Sequence, residues 1–354
     1  MSKVLLSLTV SLILTAASAA EPVNQTPLTS STARMVFDEA KAISDADAGE
    51  LWGVALYGPI VLVEADSRKA VANQPVLGFG NEDGVFVGVL PEEIGIANTA
   101  FDWHGTRWTM LMWPLADDAI MRRRLIAHEL WHRVQADIGF PSSGAANLHL
   151  GTRDGRVWLR LEWRALAAAL AQSGDARTAA VRDALAFREK RLSQFTGARM
   201  DERSMLMHEG LAEYTGLVLA IKATEGRFEQ AVSDLQNASA SSTFVRSFAY
   251  ATGPAYGLLL DAYKPGWRSV ASPEAGIVDL LAESVAFSHS EAKRADGAIA
   301  RYDGRALMEV EDRLEDQRRE KLADMRRRFV TGPTLTLDFA QMNVQFDPGV
   351  VEAL

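Results

Sequence analysis

The feature that most constrains the fold is a change of sequence pattern at Pro114. Between residues 51 and 113 the chain has short runs rich in β-branched and aromatic residues, and turn-forming stretches such as 80–84 (Gly-Asn-Glu-Asp-Gly) separate them. After Pro114, apolar residues recur mostly at helical spacing. Strands that precede a long run of helices predict an α+β fold, in which a small, mainly antiparallel sheet is followed by a predominantly helical region.

The same patterns predict the individual elements. Strands are expected at 54–56, 59–64, 70–72, 85–90 and 107–113. Helices are expected at 33–46, 117–137, 158–171, 176–194, 201–220, 228–236, 253–263, 273–287 and 307–330. A final strand or hairpin is expected at 334–346, where apolar and polar residues alternate. The helix at 307–330 carries acidic residues that face later Arg and Lys, so we interpret it as a solvated helix stabilised by i,i+4 pairs.

The first twenty residues have the pattern of a secretory signal peptide. Lys3 supplies a positive charge, residues 4–14 are mostly apolar, and Ala17-Ser18-Ala19 offers a cleavage site. The apolar run is too short to span a bilayer comfortably. We therefore expect a secreted or periplasmic protein that has no stable membrane anchor after cleavage.

Composition excludes several classes of protein. The chain has no cysteine, so it cannot be a disulfide-rich scaffold, and any metal must be held by His, Asp, Glu or backbone. Its formal net charge of −9 gives it no overall attraction to nucleic acid or to an anionic membrane. Its 354 residues suffice for three regions after the signal peptide: a β-rich one (21–115), a helical one with the chemistry described next (116–265), and a helical C-terminal one with a strand-like tail (266–354).

A five-residue motif in the predicted helix 117–137 points to metal chemistry. Residues 128–132 read His-Glu-Leu-Trp-His, an H-E-x-x-H sequence. Because residues four apart lie on the same face of a helix, His128 and His132 can bind one metal ion. Glu129 is offset round the helix and can reach a water held by that metal. Two neutral nitrogens, an added carboxylate and one open position are what a catalytic zinc needs.

Downstream glutamates are candidates for the added carboxylate. Glu209 and Glu213 lie one turn apart in the predicted helix 201–220. Glu162, in an E-x-x-A sequence, is a rival. It ranks lower because Arg160 and Arg164 flank it and offer it an ordinary ion-pair role.

Two other histidines lie near these segments. His149 and His208 are each expected to be a polar surface residue or to support a ligand indirectly.

Together, the H-E-x-x-H helix and the Glu209 segment resemble the gluzincin metallopeptidases, the zincins of thermolysin and aminopeptidase type. In that family a helix downstream of H-E-x-x-H donates a glutamate to the metal. The resemblance rests on these two short segments, and the order of strand before active-site helix agrees with it. The gap between His132 and Glu209 is longer than in thermolysin, so two extra helices are expected within it.

The resemblance implies a zincin-like fold and a hydrolase, namely a zinc metalloprotease that acts on peptide or protein substrates. It implies that Zn²⁺ is held by His128, His132 and Glu209, and that Glu129 is the general base. Glu213 takes the position of the acid that orients a ligand imidazole.

The donor that stabilises the oxyanion is left open. Related enzymes take it from a Tyr or His on a later helix, and Tyr250 precedes a Gly-Pro helix start. Arg246 is a second candidate. Equally open is that Tyr250 and Tyr256 pack in the core with their hydroxyl groups hydrogen-bonded.

The resemblance also implies that the strand at 107–113 lines the cleft and binds an extended peptide at the sheet edge. Its Trp and Met residues can equally be plain core. The aminopeptidase sequence G-x-M-x-N does not occur, which favours an endopeptidase or a peptidase of narrow specificity. A non-catalytic zincin-fold binding or assembly protein and a zinc hydrolase of non-peptide substrates remain as alternatives, and the oligomeric state is open.

Overall fold

The computed structural model describes residues 26–333, apart from Pro141, Ser143 and Ser242. The expected signal peptide and the expected strand at 334–346 lie outside the described residues. Among the helices of the described part, none is both long enough and apolar enough to cross a membrane.

The fold is α+β, with a six-stranded mixed sheet near the N-terminal end of the described chain. Helix α1 (Ser30–Asp47) comes first. The strands are β1 (Ile60–Glu64), β2 (Lys69–Ala72), β3 (Gly80–Glu82), β4 (Val85–Val89), β5 (Thr99–Trp103) and β6 (Thr106–Trp113). They lie in the order β3-β4-β2-β1-β6-β5, and every neighbouring pair is antiparallel except β1 with β6. The expectation of a small, mainly antiparallel sheet is confirmed.

Two strands lie where none was expected, and one expected strand is missing. Residues 54–56 are not in a strand, whereas β3 and β5 were missed. β3 lies inside the predicted turn because Asp83 and Gly84 alone form the loop, both with positive φ (53° and 85°). An Asp-Gly pair with this backbone makes the two-residue turn that joins hairpin strands.

β6 is an interior strand of the sheet. It pairs with β1 on one side and with β5 on the other, so β3 and β5 are the edges. The expectation that this strand offers a sheet edge to a peptide is therefore wrong. Trp108 and Met110 of β6 lie in a small core on one face of the sheet, and Leu111 faces the main core on the other. These Trp and Met side chains are plain core residues.

The rest of the described chain is mostly helical, as expected. The helices are α2 (Ala119–Val134), α3 (Arg153–Ala171), α4 (Gly174–Leu192), α5 (Ala198–Met205), α6 (Leu211–Ala220), α7 (Thr224–Ser239), α8 (Phe248–Tyr263), α9 (Ile277–Ser284), α10 (Arg294–Ala298) and α11 (Gly304–Arg326). Helix α10 was not expected, and α2 ends three residues before the predicted bound. α3 and α4 are the two extra helices between the two halves of the expected metal site.

One apolar core joins all three expected regions. It contains Phe37 from α1, Leu62 from the sheet, Leu130 from α2 and Leu281 from α9. The division at 115/116 and 265/266 stays a prediction. Helix α11 is mostly exposed, as expected, and is attached through the buried Glu311, which pairs with Arg156 and Arg160 of α3.

Candidate metal centre

Helix α2 begins directly after β6 and carries the H-E-x-x-H residues into the interior. Asp118 caps it by accepting a hydrogen bond from the backbone N–H of Met121 at 2.8 Å. The helix packs between the sheet and α6. His128, Glu129 and His132 are all buried, with 4%, 4% and 8% exposure. Buried polar groups need partners, so their surroundings define the site.

The two imidazoles meet at their Nε2 atoms, which lie 3.0 Å apart. Each Nδ1 is taken by a fixed acceptor: His128 Nδ1 donates to Glu213 at 2.6 Å, and His132 Nδ1 donates to the side-chain carbonyl of Gln135 at 2.7 Å. Such acceptors fix the tautomer of an imidazole and leave its Nε2 lone pair for a metal. Both rings are therefore oriented as ligands of one ion.

Glu209 brings a carboxylate oxygen to the same point. Its Oε2 lies 3.5 Å from His128 Nε2 and 3.4 Å from His132 Nε2. Zn–N and Zn–O bonds of about 2.0–2.2 Å in a tetrahedral site separate neighbouring ligand atoms by roughly 3.4 Å. The three donor atoms thus have the spacing and the chemistry that zinc requires. Tyr250 donates its hydroxyl hydrogen to this same Oε2 at 2.8 Å.

A π-helical turn at Leu206–Gly210 carries Glu209 between α5 and α6. Isolated π turns within helices are rare and are frequent at functional sites. Two successive residues of this turn, His208 and Glu209, lie at the centre. The His208 ring lies 4.7 Å from the His132 ring, and His208 Nδ1 lies 3.6 Å from Glu209 Oε1. His208, Glu209 and His132 form a second group with metal-binding spacing.

Helix α8 crosses this π turn at backbone contact. A Cβ atom at Gly253 would lie 2.3 Å from the Cα and 2.4 Å from the carbonyl oxygen of Gly210. Only glycine allows this approach, which places Tyr250, one turn earlier on α8, over Glu209. The Tyr250 ring is parallel to the His128 imidazole, with centroids 5.6 Å apart and an interplanar angle of 5°.

We expect Gly253→Ala to disturb the site through this crossing. The added methyl group meets backbone atoms, so α8 or the π turn must move, and overpacking of this kind costs about 1–3 kcal/mol of the free energy of unfolding. Urea unfolding with and without zinc measures both stability and zinc affinity, and both should fall. Gly297→Ala is the control, because a Cβ there meets nothing within 4 Å. Unchanged zinc affinity in Gly253→Ala would show that the crossing does not position Glu209.

Glu129 has a buried carboxylate oxygen without a hydrogen-bond partner among the described residues. Burial raises the pKa of Glu129, while the neighbouring His128 and His132 act to lower it. One oxygen of its carboxylate and one ring nitrogen of each of the two histidines lie within 4.8 Å of one another. A buried oxygen without a partner is uncommon and is suited to receiving a proton from a bound molecule.

The carboxylates around His128 stabilise a positive charge at the centre. Burial disfavours protonation of His128, but its bonds to Glu209 and Glu213 outweigh burial and raise its pKa to about 10. Glu213 is in turn held by Arg124 at 2.5 Å, and Arg124 also contacts Asp234 at 2.6 Å. The site thus favours a cation between the imidazoles, either a proton or a metal ion that replaces it.

The structure brings together all the residues that the sequence assigned to the site. One cluster contains His128, Glu129, His132, Glu209, Glu213 and Tyr250. Its histidines, Glu129 and Glu209 are buried, whereas Tyr250 is 39% exposed. Arg246 lies at its border, with Nη2 3.6 Å from Glu209 Oε1.

Glu162, the rival third ligand, is engaged elsewhere. Its carboxylate contacts Arg191 at 2.6 Å and accepts a hydrogen bond from the Tyr256 hydroxyl at 2.7 Å. The expectation that Arg160 and Arg164 pair with it is wrong, because these side chains point to α11 and to the segment before it. The core role left open for Tyr256 is confirmed.

Sequence reasoning missed two residues at the centre, Gln135 and Arg124. His208 was expected at the surface or in support of a ligand, and the structure has it beside His132 and Glu209. Burial together with the nearby His132 lowers the pKa of His208 to about 4. Gln135 follows His132 by three positions, and Arg124 precedes His128 by four. Both spacings place residues on one helix face, and this signal could have found them. His149 is a partner of the buried Glu202, at 2.7 Å.

Comparisons of the chain with protein-family models, with curated proteins and with solved structures found no match.

Proposed function

We propose that this chain is an exported, zinc-dependent metallopeptidase with a zincin-like catalytic centre. One observation carries the proposal: two imidazole nitrogens and one carboxylate oxygen lie 3.0–3.5 Å apart beside a buried, unpartnered oxygen of Glu129. His128, His132 and Glu209 would hold the metal. Three protein ligands leave a position open for chemistry, as in catalytic zinc sites.

When bound, zinc would supply Lewis acidity, which acidifies water and polarises a carbonyl group. Glu129 would accept the proton that water loses as its oxygen attacks the carbonyl carbon. The same proton would pass to the amide nitrogen as the C–N bond breaks, so that Glu129 ends in its starting state. The burial of Glu129 next to His128 and His132 supports this role.

Tyr250 is the better candidate for the oxyanion donor. Its hydroxyl group lies 2.8 Å from Glu209 Oε2, the oxygen that faces the two imidazoles. Arg246 approaches the other oxygen, Oε1, at 3.6 Å. Tyr250 therefore lies closer than Arg246 to the oxygen that would bind the metal, and a preorganised donor there would stabilise the negative charge that develops on a substrate carbonyl.

Removal and return of the metal test the proposal. Protein incubated with 1,10-phenanthroline should lose its activity against a diverse peptide library and recover it with one equivalent of ZnCl₂. Mass spectrometry of the products identifies the bonds cleaved, with MgCl₂ as the control metal. Zinc-loaded protein that binds one equivalent of zinc and cleaves no peptide would contradict the proposal and favour a binding protein.

A further inference from the structure

We propose that Arg246 gives this site a preference for substrates with a carboxylate group next to the scissile bond. This inference rests on the proposed hydrolytic function and adds a substrate class to it. The carboxylate can belong to an acidic side chain or to the C-terminus of a peptide. The two sources share the chemistry that a guanidinium group recognises.

Arg246 lies at the border between the buried centre and solvent. It precedes Tyr250 by four residues, in the turn that leads into α8. Its side chain is 41% exposed, whereas the Glu209 side chain beside it is 8% exposed. The guanidinium group therefore lies where the buried centre meets solvent.

The guanidinium group of Arg246 has uncommitted donors. Among the described residues its side chain makes no hydrogen bond, and Glu209 Oε1 at 3.6 Å is the one anion in ion-pair range. By contrast, Arg124 is held by Glu213 and Asp234 at 2.5 and 2.6 Å. Five N–H donors in a fixed plane suit a carboxylate, which can accept two of them at once.

The negative charges around Arg246 bear on how strongly the site distinguishes substrates with a carboxylate from substrates without one. Glu129, Glu209 and Glu213 concentrate negative charge at the centre, and the whole chain has a formal net charge of −9. Bound zinc and Arg124 would offset part of this charge, and Arg246 adds a cation on the solvent side, where it would attract a substrate carboxylate. A hydrogen bond to a charged group that is formed with one substrate and not with another separates them by about 10- to 100-fold in affinity.

The test uses peptide pairs that differ in one carboxylate. One pair has Asp or Asn at each position flanking the cleaved bond, and the other has a free or amidated C-terminus; the two pairs distinguish the sources. We expect the carboxylate peptide to have a kcat/KM about 10- to 100-fold higher with the wild type, mostly through KM. Arg246→Gln should bring this ratio close to one, and Arg246→Lys should keep part of it.

Arg199→Gln is the matched control, because Arg199 is also 41% exposed and pairs with Glu189 on another part of the surface. It should keep the wild-type ratio. Dissociation constants of the uncleaved peptides, measured on zinc-loaded Glu129→Gln protein, provide a readout without turnover and should show the same preference.

Equal kcat/KM values for both members of each pair with the wild type would overturn the inference and leave the hydrolytic function standing. A fall in kcat of equal size for both peptides in Arg246→Gln would also overturn it, and would assign Arg246 to the oxyanion. If no peptide is cleaved, the proposed function fails. The preference is then tested by binding alone: equal dissociation constants of zinc-loaded wild type for the carboxylate and neutral peptides would overturn it.

Discussion

Glu129→Gln is expected to abolish most of the hydrolysis while the protein keeps its zinc. The amide has nearly the shape of the carboxylate but cannot accept the proton of the attacking water, and general-base catalysis contributes about 10²–10⁴-fold to rate. Glu129 makes no hydrogen bond through its buried Oε2, so the substitution removes no structural contact there. Zinc content by mass spectrometry and kcat/KM for a cleaved peptide are the two measurements.

Glu229→Gln, on the exposed surface of α7, is the control for loss of one acidic group, and it should retain full activity. An active Glu129→Gln protein would remove Glu129 from the reaction. A protein that loses zinc together with activity would instead make Glu129 a metal ligand.

Glu209→Ala is expected to lose zinc and to keep its fold. It removes the carboxylate oxygen that lies 3.5 Å from His128 Nε2 and 3.4 Å from His132 Nε2. Loss of a residue that only orients a ligand lowers metal affinity by about 10- to 100-fold, and loss of the ligand itself should exceed this. Competition with a chromophoric chelator gives the zinc affinity, and circular dichroism reports the helical content.

Glu162→Gln is expected to have the opposite effects, namely a less stable fold and unchanged zinc binding. Glu162 is fully buried with Arg191 and Arg188 at 2.6 and 3.7 Å, so the variant leaves two buried cations with less compensation. Breaking a buried ion pair costs about 3–5 kcal/mol of the free energy of unfolding. Folded Glu162→Gln protein should bind zinc as the wild type does. Zinc loss in Glu162→Gln with normal binding in Glu209→Ala would reverse the ligand assignment.

The local part of this centre was predictable from sequence. H-E-x-x-H spacing alone places His128 and His132 on one face of a helix, and the structure has their Nε2 atoms 3.0 Å apart. The glutamate one turn after Glu209 is likewise where its spacing puts it, bonded to His128. Helical periodicity is set by neighbours along the chain, so such pairs can be found without the fold.

The non-local part was not predictable. Strand order depends on contacts between distant segments, so the sequence could not show that β1 pairs with β6 in parallel and makes β6 an interior strand. The π turn, which carries both His208 and Glu209 to the centre, is not indicated by the helical spacing of apolar residues. The partners of Glu162 come from α4 and α8, which no spacing within α3 could indicate.

X-ray absorption at the zinc edge tests the central claim most directly. Wild-type protein loaded with one equivalent of zinc should show four nitrogen or oxygen neighbours at about 2.0–2.2 Å, two of them imidazoles, with the fourth position filled by solvent. A spectrum with three imidazoles would place His208 on the metal and close the position that the proposed reaction needs. Failure to bind zinc at one equivalent would contradict the metal centre itself.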